Sequence, residues 1–194
     1  MNSRLRNLLP LGAVLFALCG CAQSVEWMEE VQIEGGRVIR VERMQEWFRS
    51  SGVGEAERYS QRHFSLRIVG KEGRGLPMWS ASWQQPIILG YEADEREYFL
   101  VAAVATCGLW KEFGSPKPPY AEYRIREGRW TRAQLPREHI GLTANLLISA
   151  SRLHQPSDVS IDDKRTANDA FASAASAPNW YLRTREDAAI LGCR

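Results

Sequence analysis

Tyr98 to Val104 is a dense apolar run, framed by Glu97 and Cys107. A run of this length suits a central strand buried on both faces, so the chain around it must supply neighbouring strands. His63 to Val69 alternates, with Phe64, Leu66 and Ile68 facing in. Met78 to Trp83 alternates again and places Trp79, Ala81 and Trp83 on one face. Pro86 to Leu89 is a short apolar piece, and Gly70 to Pro77 is a Gly-rich connection. Tyr120 to Arg126 reads as a strand that Glu127-Gly128 turns back into Trp130. Three prolines in Gly114 to Pro119 cannot serve a sheet interior, so that stretch is a turn.

Trp27 to Arg43 reads as a β-hairpin around Gly35-Gly36. A two-residue turn there sets Glu34 opposite Arg37 and Ile33 opposite Val38, both favourable cross-strand pairs. Met44 to Arg62 is polar, contains Gly52 and Gly54, and is expected to be a loop with at most a short helical turn. Leu142 to Ser149 is apolar and fits either a strand or a helix. Ser160 to Ala177 is the best helix candidate: Ser160 and Asp163 have capping-box spacing, alanines follow, and Pro178 stops it. Trp180 to Arg183 reads as a last strand. The expected fold is mainly β (α+β), a single antiparallel-sheet domain over residues 27–194 with one late C-terminal helix.

Residues 1–20 have the layout of a secretory signal. Arg4 and Arg6 form a positive start, and Leu8 to Leu18 is almost wholly apolar. That run is about half the roughly 20 residues a spanning helix needs. It ends Leu18-Cys19-Gly20-Cys21, which resembles the lipobox of bacterial lipoproteins, with Cys19 where Ala, Ser or Thr is usual. The resemblance implies cleavage after Gly20, a diacylglycerol thioether on Cys21 and acylation of the new amino end. Two or more acyl chains give a stable anchor where one gives only marginal binding. Cys21 to Glu26 is then a lipidated tether. Ala22 and Gln23, with no Asp, resemble lipoproteins sorted to an outer membrane and facing the periplasm. The competing reading is ordinary signal cleavage after Ala22, which leaves a soluble exported protein.

The whole chain carries 25 basic and 23 acidic residues. Losing Arg4 and Arg6 with the signal brings the remainder to zero net charge, so nucleic acid is not an expected partner. Of four cysteines, Cys19 would leave and Cys21 would carry lipid. Cys107 and Cys193 remain, and in an oxidising compartment they most simply form a disulfide. The alternative is a buried free thiol at Cys107 and an unpaired Cys193.

Part of the remainder is similar to a group of uncharacterised proteobacterial lipoproteins. The shared residues are Trp27-Met28-Glu29-Glu30-Val31, Gly35-Gly36-Arg37-Val38-Ile39 with Val41-Glu42-Arg43, and Cys107, Trp110, Gly114, Pro116 and Pro118-Pro119-Tyr120. The resemblance implies an envelope location and carries over no functional residue.

No catalytic constellation stands out. His63, His139 and His154 lack metal-ligand spacing, there is no G-x-S-x-G elbow, and Gly70 to Gly75 lacks the Lys-Ser/Thr ending of a phosphate loop. Cys107 as a nucleophile competes poorly with Cys107 in a disulfide. No metal site and no cofactor are expected. Asp162 and Asp163 serve a helix N-terminus better than acid–base chemistry. Trp79, Trp83, Trp110 and Tyr120 are a candidate binding face for sugar rings, peptidoglycan included, set against a plain role in the core. The expected function is a non-catalytic, membrane-anchored binding or assembly module for an envelope protein or wall component. The alternative is an envelope hydrolase acting on cell wall or lipid.

Overall fold

The computed structural model describes residues 23–50, 58–148, 157–172, 181–188 and 193. The strands are β1 (Gln23–Gln32), β2 (Val38–Ser50), β3 (Arg58–Ile68), β4 (Trp79–Ser82), β5 (Gln84–Glu92), β6 (Glu97–Val104), β7 (Tyr120–Arg126), β8 (Arg129–Ala133) and β9 (Asp158–Val159). The helices are α1 (Cys107–Glu112) and α2 (Ile161–Ala172), with short 3-10 turns at Glu34–Gly36 and Arg137–His139. The chain is mainly β with a late helix, as its patterning indicates. The strands divide between two sheets, ordered β4-β3-β2-β1-β9 and β5-β6-β7-β8. The second is antiparallel throughout; the first is mixed, because β9 runs parallel to β1.

Alternation decides which residues meet. Val31, Ile39, Val41, Phe64, Leu66, Ile68 and Trp79 line the inner face of the first sheet. They pack against Leu89, Tyr98, Leu100, Ala102, Ala121 and Tyr123 of the second. Further along the same inner face, Trp27 meets Leu147, Val159 and the α2 residue Ala167. The outer face of the second sheet is buried too: Ile88, Phe99, Val101, Ala103 and Tyr120 lie with Ile148 under Leu135, Leu142, Tyr181 and Leu182. Tyr98 to Val104 is therefore covered on both sides, as a central strand should be.

Three details depart from the sequence reading. The first hairpin turns one residue differently, pairing Gln32 with Val38 and Val31 with Ile39. Paired residues point to the same face. Only this register puts Trp27, Glu29 and Val31 on the same side as Ile39, Val41 and Arg43, and Val38 is left 46% exposed. The turn accommodates it with Gly35 and Gly36 both at φ +74°. Second, Met44–Ser50 and Arg58–Arg62 are strand, not loop: β2 and β3 pair from Val41↔Ile68 out to Ser50↔Arg58. Residues 51–57 of the expected loop lie outside the described residues. Third, Leu142 to Ile148 is neither strand nor helix; it is an irregular cover whose Leu146, Leu147 and Ile148 are buried. In the stretch expected as a last strand, Arg183 pairs with Thr143 as an isolated bridge, and Trp180 lies outside the described residues.

α2 starts where capping chemistry placed it. The Ser160 hydroxyl accepts from Asp163 N (3.2 Å), and the Asp163 carboxylate accepts from Ser160 N and Oγ (3.2 and 2.6 Å). The region after Ala172 as far as 180, which holds the expected end of the helix and Pro178, lies outside the described residues.

Candidate functional site

β5 and the turn after it line a cleft of about 650 Å³ together with Glu138, His139, Leu142, Thr143 and Asn145. Its chemistry begins with a glycine. Gly90 pairs with Phe99, and the Phe99 ring lies so close over it that a β-carbon there would sit 2.0 Å from Cζ. His139 stacks on that ring, centroids 4.1 Å apart and 18° from parallel. Its imidazole is then held edge-on: Nδ1 lies 2.5 Å from Glu122 Oε2 and Nε2 lies 3.3 Å from Glu92 Oε1.

Arg124 organises these carboxylates. Its guanidinium donates to Glu92 in bidentate fashion (2.7 and 2.8 Å), to Glu122 (2.7 Å) and to Glu95 (2.6 Å). Hydrogen bonding to Arg124 holds the Glu92 carboxyl below the usual range, and the same bonds push the guanidinium further up. Glu122 and Arg124 lie two apart on β7, so both project from the outer face that carries Phe99 and Val101. The arrangement fixes an imidazole rather than freeing it. His139 is only 6% exposed, and both ring nitrogens face carboxylates. The Thr184 hydroxyl beside it bonds the His139 carbonyl, not the ring.

His63 is the other histidine with hydroxyl neighbours: Nδ1 lies 3.1 Å from Ser82 Oγ and Nε2 lies 3.0 Å from Ser80 Oγ. This set stands on the outer face of the first sheet, where both serines are exposed. His154 lies outside the described residues. Among the described residues, no group of three or more His, Cys, Asp or Glu is placed to hold a metal ion.

A second buried charge group lies where α2 meets the first sheet. Glu29, fully buried, accepts four hydrogen bonds: Trp27 Nε1 (3.0 Å) and Arg43 Nη1 (3.3 Å) on one oxygen, Leu147 N (2.8 Å) and Lys164 Nζ (3.3 Å) on the other. Lys164 also donates to the Glu30 carbonyl. Burial pulls both the Arg43 and Lys164 pKa values down, and Glu29 opposes that in each. One helical turn on, Asn168 bonds Ile148 N and Leu146 O (3.1 Å each). The group docks α2 against the first sheet, and its Lys164 and Asn168 also border a cleft of about 400 Å³.

The aromatic set is not brought together on a surface. Trp79 is 2% exposed inside the sandwich, edge-on to Tyr123 at 5.6 Å. Tyr120 is buried on the opposite face of the second sheet, donating to the Arg183 carbonyl and accepting from Arg185 N. Burial raises its pKa to about 12. Trp83 is half-buried at the β4–β5 junction, and Trp110 is half-buried with its indole N–H on the Pro116 carbonyl (2.9 Å). Cys107, the first residue of α1, is bonded to Cys193 (S–S 2.00 Å). Cys21 lies outside the described residues.

The network around Arg124 and His139 escaped the sequence reading because its members are far apart in the chain. One signal was available: Glu122 and Arg124 occupy the strand phase that Tyr120 opens, so one face of β7 carries charge where a buried face was due. Comparison with known protein families, curated proteins and solved structures finds no match to this chain.

Proposed function

We propose that this protein is an exported lipoprotein, tethered by acyl chains on Cys21, whose folded body binds an envelope partner and does not turn over a substrate. The observation that carries the binding half is the state of His139. It borders a cleft, yet it is buried, stacked and engaged by two carboxylates, and among the described residues no nucleophile contacts its ring. A general base must reach the proton it takes. The exported half is supported by the Cys107–Cys193 bond, since disulfides persist in oxidising compartments. Among the described residues no helix is long and apolar enough to cross a membrane.

The hydrolase reading rests on the cleft itself and on the His63–Ser80–Ser82 contact. Glu46 is the cross-strand neighbour of His63 on that face, so what this reading requires is a substrate pocket over them. The test of the proposal is metabolic labelling with an alkyne fatty acid. The intact protein should label and sediment with membranes, and Cys21→Ala should do neither. Labelling that survives Cys21→Ala would overturn the anchor.

A further inference from the structure

We infer that the free edge of β8 is a docking site for an extended acidic segment of a partner protein. The inference builds on the binding-module reading and names the partner's chemistry. Among the described residues β8 has a neighbour on one side only, β7. The β7–β8 turn has two residues, Glu127 and Gly128, at φ +52° and +73°, as a type I′ hairpin requires. In such a hairpin the flanking pair, Arg126 and Arg129, is hydrogen-bonded, and the bonding side alternates from there. Arg129, Thr131 and Ala133 therefore turn their backbone groups to β7. Trp130 and Arg132 turn theirs outward, where a further strand can use them.

A groove of about 450 Å³ opens beside this edge, where β8 leaves the sheet. Phe113, Pro116, Pro118 and Leu135 give it apolar walls, and Lys117 and Arg132 give it charge. No carboxylate lines it. Neither cation has a carboxylate partner among the described residues; Arg132 instead lies 3.9 Å over the Phe113 ring. Strand addition takes affinity from main-chain bonds and specificity from alternate side chains. Here the alternate positions ask for acidic and apolar groups. The charge also argues against a second copy as occupant: pairing β8 with β8 would bring two Lys117–Arg132 sets together, and like charges across strands repel. The far corner of the same sheet is already satisfied, because Asn145 covers the β5 edge with bonds to Leu89 N (2.9 Å) and Leu89 O (2.7 Å).

The test titrates the purified, oxidised mature protein with a fluorescent peptide alternating valine and glutamate. Comparison peptides carry lysine for glutamate, or N-methyl groups on one edge. The acidic peptide should bind, more weakly as salt rises. The N-methyl peptide should not bind, since it cannot pair as a strand. Lys117→Glu with Arg132→Glu should weaken binding about tenfold or more while the melting curve stays in place, because both residues are exposed. Equal binding of the lysine or N-methyl peptide would overturn the inference. So would an unaffected double variant, absence of binding at millimolar peptide, or sedimentation showing a dimer that the peptide cannot enter. None of these outcomes involves the lipid on Cys21, so failure here leaves the anchor proposal to its own test.

Discussion

Gly90 and Glu29 are single residues whose neighbours leave them no substitute. At Gly90 any β-carbon meets the Phe99 ring, on which His139 stacks. Gly90→Ala should cost about 1–3 kcal/mol, the usual penalty of overpacking, measured by urea unfolding. An unchanged midpoint would mean that the ring moves aside freely. Glu29 is a carboxylate with every acceptor site used by Trp27, Arg43, Leu147 and Lys164. Glu29→Ala leaves two buried cations without their counter-charge and should destabilise by about 3–5 kcal/mol. Had the group been a rim feature, the loss would stay under about 1 kcal/mol. Glu29 was legible as an anomaly, a charge in phase with Trp27 and Val31, but its partners from β2, α2 and the 147 backbone were not.

At the scale of elements, the irregular segment 137–148 is held to the second sheet by polar contacts at both ends. His139 clamps one end through Glu122 and Glu92, and Asn145 clamps the other by bonding Leu89 and the Gln32 carbonyl, so one side chain ties the two sheets. This makes the cover sensitive to acid. The folded-state pKa of Glu92 lies below its ordinary value of 4.5 because Arg124 binds the charged form. In the interval between those two values the unfolded chain holds more protons, so stability rises with pH there. The contribution is complete above about pH 4.5 and is lost as pH falls through the folded value. The melting temperature should therefore fall in acid, and Glu92→Gln should start lower and show a flatter acid limb. A variant with the same acid slope as the parent would remove Glu92 from the account.

Across the whole molecule, the disulfide joins residues 86 apart and pins Cys193 to the start of α1. On the chain-entropy view, closing a loop of that length stabilises by about 4–5 kcal/mol. Cys107→Ala with Cys193→Ala should lower the melting temperature and abolish the faster migration of the oxidised chain on a non-reducing gel. Equal mobility with and without reductant in protein taken from cells would show that the bond does not form there. The two-sheet arrangement explains why a chain of ordinary apolar content buries so many aromatics. The second sheet is covered on both faces, so Trp79 and Tyr120 are taken into cores on opposite sides of it.

By itself the sequence determined what depends on neighbours in the chain. Alternation marked β4 and the second half of β3, an unbroken apolar run marked the doubly buried β6, prolines and glycines marked the turns, and Ser160 with Asp163 marked the start of α2. Compartment logic paired Cys107 with Cys193. Only the tertiary structure decided the rest. The hairpin register followed from which side of β1 and β2 had to be buried, which required knowing what packs there. The charge networks needed Glu29 beside Lys164 and Glu122 beside His139, contacts between residues far apart in the chain. Such pairs leave no periodic trace, because a buried charge is tolerated only where folding happens to deliver its partner.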